Sequence, residues 1–272
     1  MASKETPQGK LVYKQLLATR VTHWLWAVCL FFLLLSGLQI FMARPDLYIG
    51  IQSGFAFDNA ILTIGAAFEE GRMRGFTDLF GYRFDTTGWL GAIWVNGNLE
   101  ARSFPTWMTI PSYRDLASGR VVHFFFAWLL VATLLGWLVA SLANGHLRRD
   151  VLPKRAELRR IGDDIAAHAR LEISKERHYN VLQKVSYALV LFVLFPLIVL
   201  TGLTMSPGLN AFAPFMVDLF GGRQTARTIH FLAMLALMAF FVVHILMVLL
   251  AGPLNELRSI VTGWYRTDPE SE

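Results

Sequence analysis

Four apolar runs dominate the chain, at residues 21–42, 121–142, 185–205 and 229–251. Each is close to or above the ~20 residues that a helix needs to cross a bilayer. None of the four contains an aspartate or glutamate. The pattern predicts an all-α membrane protein, a four-transmembrane-helix bundle forming one membrane domain over residues 1–272. The first run is too long for the apolar core of a signal peptide, and no small-x-small cleavage site follows it. The N-terminal span is therefore expected to stay in the mature chain.

Composition agrees with the pattern. Of 272 residues, 54% are hydrophobic and 17% charged, against about 25% charged in soluble globular proteins. The net charge of +5 would point to nucleic acid only if it were spread over a soluble face. Here it flanks the spans, and no nucleic-acid partner is expected. A single cysteine, Cys29, excludes an internal disulfide, a Cys₄ zinc site or an iron–sulfur cluster held by this chain alone. Its default role is that of a small buried hydrophobe.

The charges also orient the spans. Lys4, Lys10, Lys14, Lys154, Lys175 and Lys184 all precede the first span or lie in the connection 143–184, which also carries seven arginines from Arg148 to Arg177. By the positive-inside rule this connection and both termini face the cytoplasm. Within it, Pro153 can open a helix, and Leu158, Ile161, Ile165 and Ala169 recur at helical spacing. A basic amphipathic helix on the inner leaflet and a solvated charged connector fit equally well. The extracytoplasmic connection 43–118 has no lysine and is rich in glycine and aromatics, including Phe55, Phe76, Trp89, Trp94 and Trp107. It is too apolar for disorder and too long for a plain loop. It reads as a folded cap that covers a cofactor or docks a partner; the alternative is a loop hugging the membrane.

Ionisable side chains inside spans are costly and point to function. Four of the seven histidines lie in spans: His23, His123, His230 and His244. His146, His168 and His178 fall in the inner connection, where a solvated or interfacial histidine is ordinary. Arg20, Arg120 and Arg227 each precede a span histidine by three residues, which puts arginine and histidine on one helix face. Imidazole below and guanidinium one turn nearer the membrane edge suit a haem, a flat apolar ring ligated through iron and carrying propionates at one edge. His230 and His244 are fourteen residues apart, ~21 Å along a helix with a net rotation of ~40°. Depth then pairs His123 with His230 in an outer site and His23 with His244 in an inner one, for two b-type haems. Met234, Met238 and Met247 are read as packing residues.

The spans look like two copies of one hairpin. Ser36-Gly37-Leu38 in the first span matches Thr201-Gly202-Leu203 in the third, and the second and fourth spans both open with Arg-x-x-His-Phe. Gly37 and Gly202 are placed where a missing side chain would let a macrocycle approach the backbone.

With His23, Arg120-x-x-His123, Arg227-x-x-His230 and His244 on these spans, the chain resembles the dihaem cytochrome b subunits of the bacterial cytochrome b561, thiosulfate-reductase and formate-dehydrogenase gamma type. Phe104-Pro-Thr-Trp107 through Pro111-Ser-Tyr-Arg-Asp115 resembles the thiosulfate-reductase branch in particular, whereas the connection 43–118 is longer than in the formate-dehydrogenase relatives. The resemblance implies a bacterial inner-membrane protein carrying electrons between membrane quinone and a partner, often a periplasmic molybdopterin oxidoreductase. Quinone would exchange near the inner haem, with Lys14, Gln183 and Tyr187 as candidates. A self-contained quinone oxidoreductase is a second reading. A proton-coupled transporter with a histidine relay is a third, and it is disfavoured by spans without Asp or Glu.

Overall fold

In the computed structural model, residues 9–159, 161–170 and 180–267 are described. Four helices are long and apolar enough to cross a membrane: Leu17–Phe41, Leu116–Ala143, Val181–Thr204 and Arg223–Ala251. Each begins four to six residues before its apolar run, because the first turns are polar yet helical. Asp115 caps the second helix by accepting from the Ser118 amide at 3.0 Å, and these hydrogen bonds hold its carboxyl below the usual range. Asn180 caps the third, accepting from the Gln183 amide at 2.8 Å while the Gln183 side chain accepts from the Asn180 amide at 3.2 Å.

The strands are β1 (Leu11–Tyr13), β2 (Asp46–Tyr48), β3 (Ala60–Glu69), β4 (Arg72–Leu79), β5 (Tyr82–Asp85), β6 (Ala92–Val95), β7 (Asn98–Ala101) and β8 (Trp264–Arg266). The chain divides into two compact units, and every span contributes to both.

The first unit comprises Met1–Trp26, Ala132–Pro196 and Leu235–Glu272. In it β1 and β8 pair antiparallel, which sets the two terminal segments side by side. Trp137, Leu147 and Val151 form its apolar centre with Trp26 and Leu191 packed against them. Lys184 is buried and reaches Glu157 at 3.0 Å; the Lys154 amide and then Lys184 hold the Glu157 carboxylate below its ordinary range. The segment that reads equally as an amphipathic helix or a solvated connector contains two short helices, Arg155–Leu158 and Ile161–Ala169, with Leu158 and Ile165 exposed. His146, expected to be solvated or interfacial, is instead 5% exposed. The turn at Asn144-Gly145, with Gly145 at φ +70°, folds it back under the π turn Leu147–Val151. His178 and the side chain of His168 lie outside the described residues.

The second unit comprises Ala27–Val131 and Leu197–Met234. Its distinctive part is the connection 43–118, read from the sequence as a cap, whose regular elements are mainly β-strands. Strands β2-β3-β4-β5 form an antiparallel sheet in sequence order, and β6-β7 form a separate hairpin. Three of the turns are two-residue loops with both φ values positive: Glu70-Gly71, Phe80-Gly81 and Asn96-Gly97. This is the type I′ conformation, whose twist matches that of the flanking strands and which favours glycine at its second position. Leu38, Phe41, Leu47, Ile64 and Phe104 are the buried centre, with Phe231 and Met234 packed on it. The cap thus packs on the end of the first span and against Phe231 and Met234 of the fourth.

Candidate metal centres

The four span histidines form two pairs, one in each unit. In the second unit the His123 and His230 rings lie 6.4 Å apart between centroids, at 58°. In the first unit the His23 and His244 rings lie 6.2 Å apart at 55°. A metal–imidazole bond of about 2.0–2.1 Å plus about 1.1 Å from nitrogen to ring centre, taken twice, gives about 6.3 Å. Both pairs therefore have the spacing of two imidazoles sharing one metal ion.

Hydrogen bonding in the second unit fixes which nitrogen faces the gap. Ser36 Oγ lies 3.1 Å from His123 Nδ1 and donates its own proton to the Phe32 carbonyl at 2.5 Å. Thr201 Oγ1 lies 3.1 Å from His230 Nδ1 and donates to the Leu197 carbonyl at 2.7 Å. A hydroxyl has one proton to give. With that proton committed, each oxygen accepts from Nδ1–H, and Nε2 keeps its lone pair for a metal. The carbonyls of Leu33 and Ile198 also accept from the His123 and His230 rings respectively. Ser36 and Thr201 are not among the residues that the sequence singles out, although Ser36-Gly37 and Thr201-Gly202 mark the internal repeat.

The two glycines lie against the histidine rings. A Cβ on Gly37 would stand 3.3 Å from His123 Cε1, and one on Gly202 3.2 Å from His230 Cε1. Their missing side chains thus make room for the imidazoles themselves. Each hairpin repeat uses its first span to supply a hydroxyl and a glycine to the histidine of its second span. Among the described residues the first unit shows no counterpart of this device: His23 Nδ1 is buried without a hydrogen-bond partner, and His244 stacks on Phe240 at 5.9 Å.

None of the three arginines forms an ion pair with a carboxylate among the described residues. Arg20 donates to the Val261 carbonyl, and its buried Nε has no partner. Arg120 lies over the Phe124 ring at 5.7 Å. Arg227 donates to the Arg44 carbonyl and lies over Phe41 at 5.2 Å. A cavity of about 260 Å³ opens beside Arg227, lined also by Met205, Arg223 and Gln224. The first turns of the fourth span are further held by the cap. The Gly50 amide donates to Thr225 Oγ1 at 2.6 Å, and the buried Thr228 hydroxyl donates to the Tyr48 carbonyl at 2.6 Å.

Two nitrogen donors per pair suit an ion whose remaining ligands come from a macrocycle. A bare zinc site would need further protein ligands, and among the described residues no group of three or more His, Cys, Asp or Glu could hold a metal ion. A family model described as prokaryotic cytochrome b561 matches residues 14–263. The chain belongs to that family. It is a multi-pass membrane protein of the b-haem type, and the residues present fit that group. A putative protein-methionine-sulfoxide reductase subunit from Azospira oryzae is 29% identical over 233 residues, which cover 85% of this chain and 87% of the relative. No solved structure matches the chain.

Of the quinone candidates, Lys14 sits over the Tyr265 ring at 4.0 Å, and Gln183 completes the cap of the third span. Tyr187 is half-buried on that same span. Met234 packs in the apolar centre and Cys29 is fully buried. Thr201→Ala should weaken haem retention toward the low end of the 10- to 100-fold loss typical when a ligand's hydrogen-bond partner is removed, because the Ile198 carbonyl remains. Haemin titration of the apo-chain measures this, with Thr201→Ser expected to restore wild-type binding.

Proposed function

We propose that the chain holds two b-type haems, an outer one between His123 and His230 and an inner one between His23 and His244, and passes electrons between membrane quinone and a partner oxidoreductase. The observation that carries this reading is the pair of imidazole spacings, 6.4 Å and 6.2 Å. Haem supplies a one-electron iron couple in such a site. The protein's part is to hold the imidazoles, exclude water and place charge. Ser36 and Thr201 hold the outer histidines in the metal-binding tautomer. Arg120 and Arg227 offer guanidinium groups to the propionates of the outer group, and Arg20 does so for the inner one.

The proposed orientation puts the basic connection and both termini on the cytoplasmic face of a bacterial inner membrane. The β1–β8 pairing supports a common side for the two ends. The cap then stands outside, where a periplasmic oxidoreductase can dock. The similarity to a reductase subunit favours such a partner over a self-contained quinone oxidoreductase, and paired histidines without acidic neighbours in the spans disfavour a proton relay.

A short-chain quinol added to the purified chain in nanodiscs should reduce its haem within the dead time of manual mixing. Haem that dithionite reduces but quinol does not would count against quinone as the membrane-side substrate.

A further inference from the structure

The cap sheet has two faces of opposite character, and the electron path described above uses neither. Leu79 stands opposite Tyr82 and Thr77 opposite Phe84, while Leu62 faces Leu79 and Ile64 faces Thr77. Strand alternation puts Leu62, Ile64, Leu79, Tyr82 and Phe84 on one face. The other face carries Asp78, Arg83, Arg74 and Asp85. There Arg83 pairs with Asp78 at 2.8 Å and Arg74 with Asp85 at 3.4 Å, and the Arg83 guanidinium lies 3.9 Å over Phe76. A charged, ion-paired face of this kind belongs in water.

The apolar face changes along its width. At its root Ile64 is 4% exposed and packs with Leu38 and Phe41 at the end of the first span and with Phe231 of the fourth. At its free edge Leu79 is 40%, Phe84 54% and Tyr82 74% exposed. Strands lie ~4.8 Å apart, so β5 stands ~10 Å beyond β3, about one helix diameter. The face is therefore continuous with a contact made on the ends of membrane-spanning helices, and it runs on past them to an edge that its exposure leaves open. Level with those helix ends lies the headgroup region of the bilayer, where aromatic side chains are favoured.

We propose that the β4–β5 hairpin rests on the outer leaflet through Leu79, Tyr82 and Phe84, with the Asp78–Arg83 face turned to water. The cap is then anchored to lipid on one side and to the helix ends on the other. This inference rests on the membrane-spanning helices and not on the haem assignment.

The single substitutions Tyr82→Cys, Arg83→Cys and Phe84→Cys, each spin-labelled in the full chain, test it. Native Cys29 is fully buried, and the three sites are exposed, so labelling should be selective and folding intact; losing the exposed Arg83–Asp78 pair costs little. In phosphatidylethanolamine/phosphatidylglycerol nanodiscs, labels at 82 and 84 should collide preferentially with oxygen and the label at 83 with a water-soluble nickel complex. Equal nickel accessibility at all three would overturn the proposal. So would protection at 82 and 84 that appears only when a second polypeptide binds, since the occupant would then be protein.

Discussion

His123→Ala is expected to leave the chain with one haem in place of two. The substitution removes one of only two protein donors in the second unit, and the remaining His230 then faces a cavity where an imidazole stood. The other pair takes its ligands from the first and fourth helices, and its His244 stands fourteen residues after His230, so neither of its donors is touched. It should keep its haem. Residues that act as a unit are not additive, so His123→Ala combined with His230→Ala should lose no more haem than either alone. Pyridine haemochrome analysis counts the loss, and low-spin EPR signals show which site survives. If the double variant His23→Ala/His244→Ala still carries two haems, the pairing by depth is wrong.

Gly202→Val is expected to empty the same outer site without touching a ligand. Its Cβ alone would stand 3.2 Å from His230 Cε1, tighter than ordinary contact, and the two methyl groups reach further into the ring. Overpacking of this kind typically costs about 1–3 kcal/mol, and the strain is relieved by rotating or displacing His230. Making room for two further methyl groups displaces the imidazole beyond what its bond to a shared metal ion can follow, which breaks the ligation geometry. Gly202→Ala needs a shift of only a few tenths of an ångström and should keep the haem with altered low-spin EPR g values. A valine variant with two haems and unchanged spectra would mean that the glycine does not set the position of the imidazole.

Much of this organisation is legible in the sequence. The spans are visible because about twenty consecutive apolar residues match the thickness of a bilayer and exceed what a buried core helix needs. Arg-x-x-His is visible because a single helix turn fixes the relation of the two side chains. The repeat marks Gly37 and Gly202, but helix periodicity gives depth and not rotation toward a neighbour, so it does not show their contact with the histidines. Ser36 and Thr201 are hidden for the same reason, sitting beside those glycines as ordinary small polar residues. The strands of the cap run three to ten residues, too short for a strong periodic signal, although Asn96-Gly97 marks a hairpin turn. The contacts from Arg44, Tyr48 and Gly50 to the start of the fourth span join residues 175 to 183 positions apart, and no local pattern announces them. The burial of His146 is equally hidden, because a position in a basic connection says nothing of a turn that folds it inward.

If each imidazole pair holds a haem, a reduced-minus-oxidised absorbance spectrum of the purified chain shows b-type bands, and pyridine haemochrome quantification gives two haems per polypeptide. A folded chain, expressed with adequate haem supply and carrying none, would contradict this.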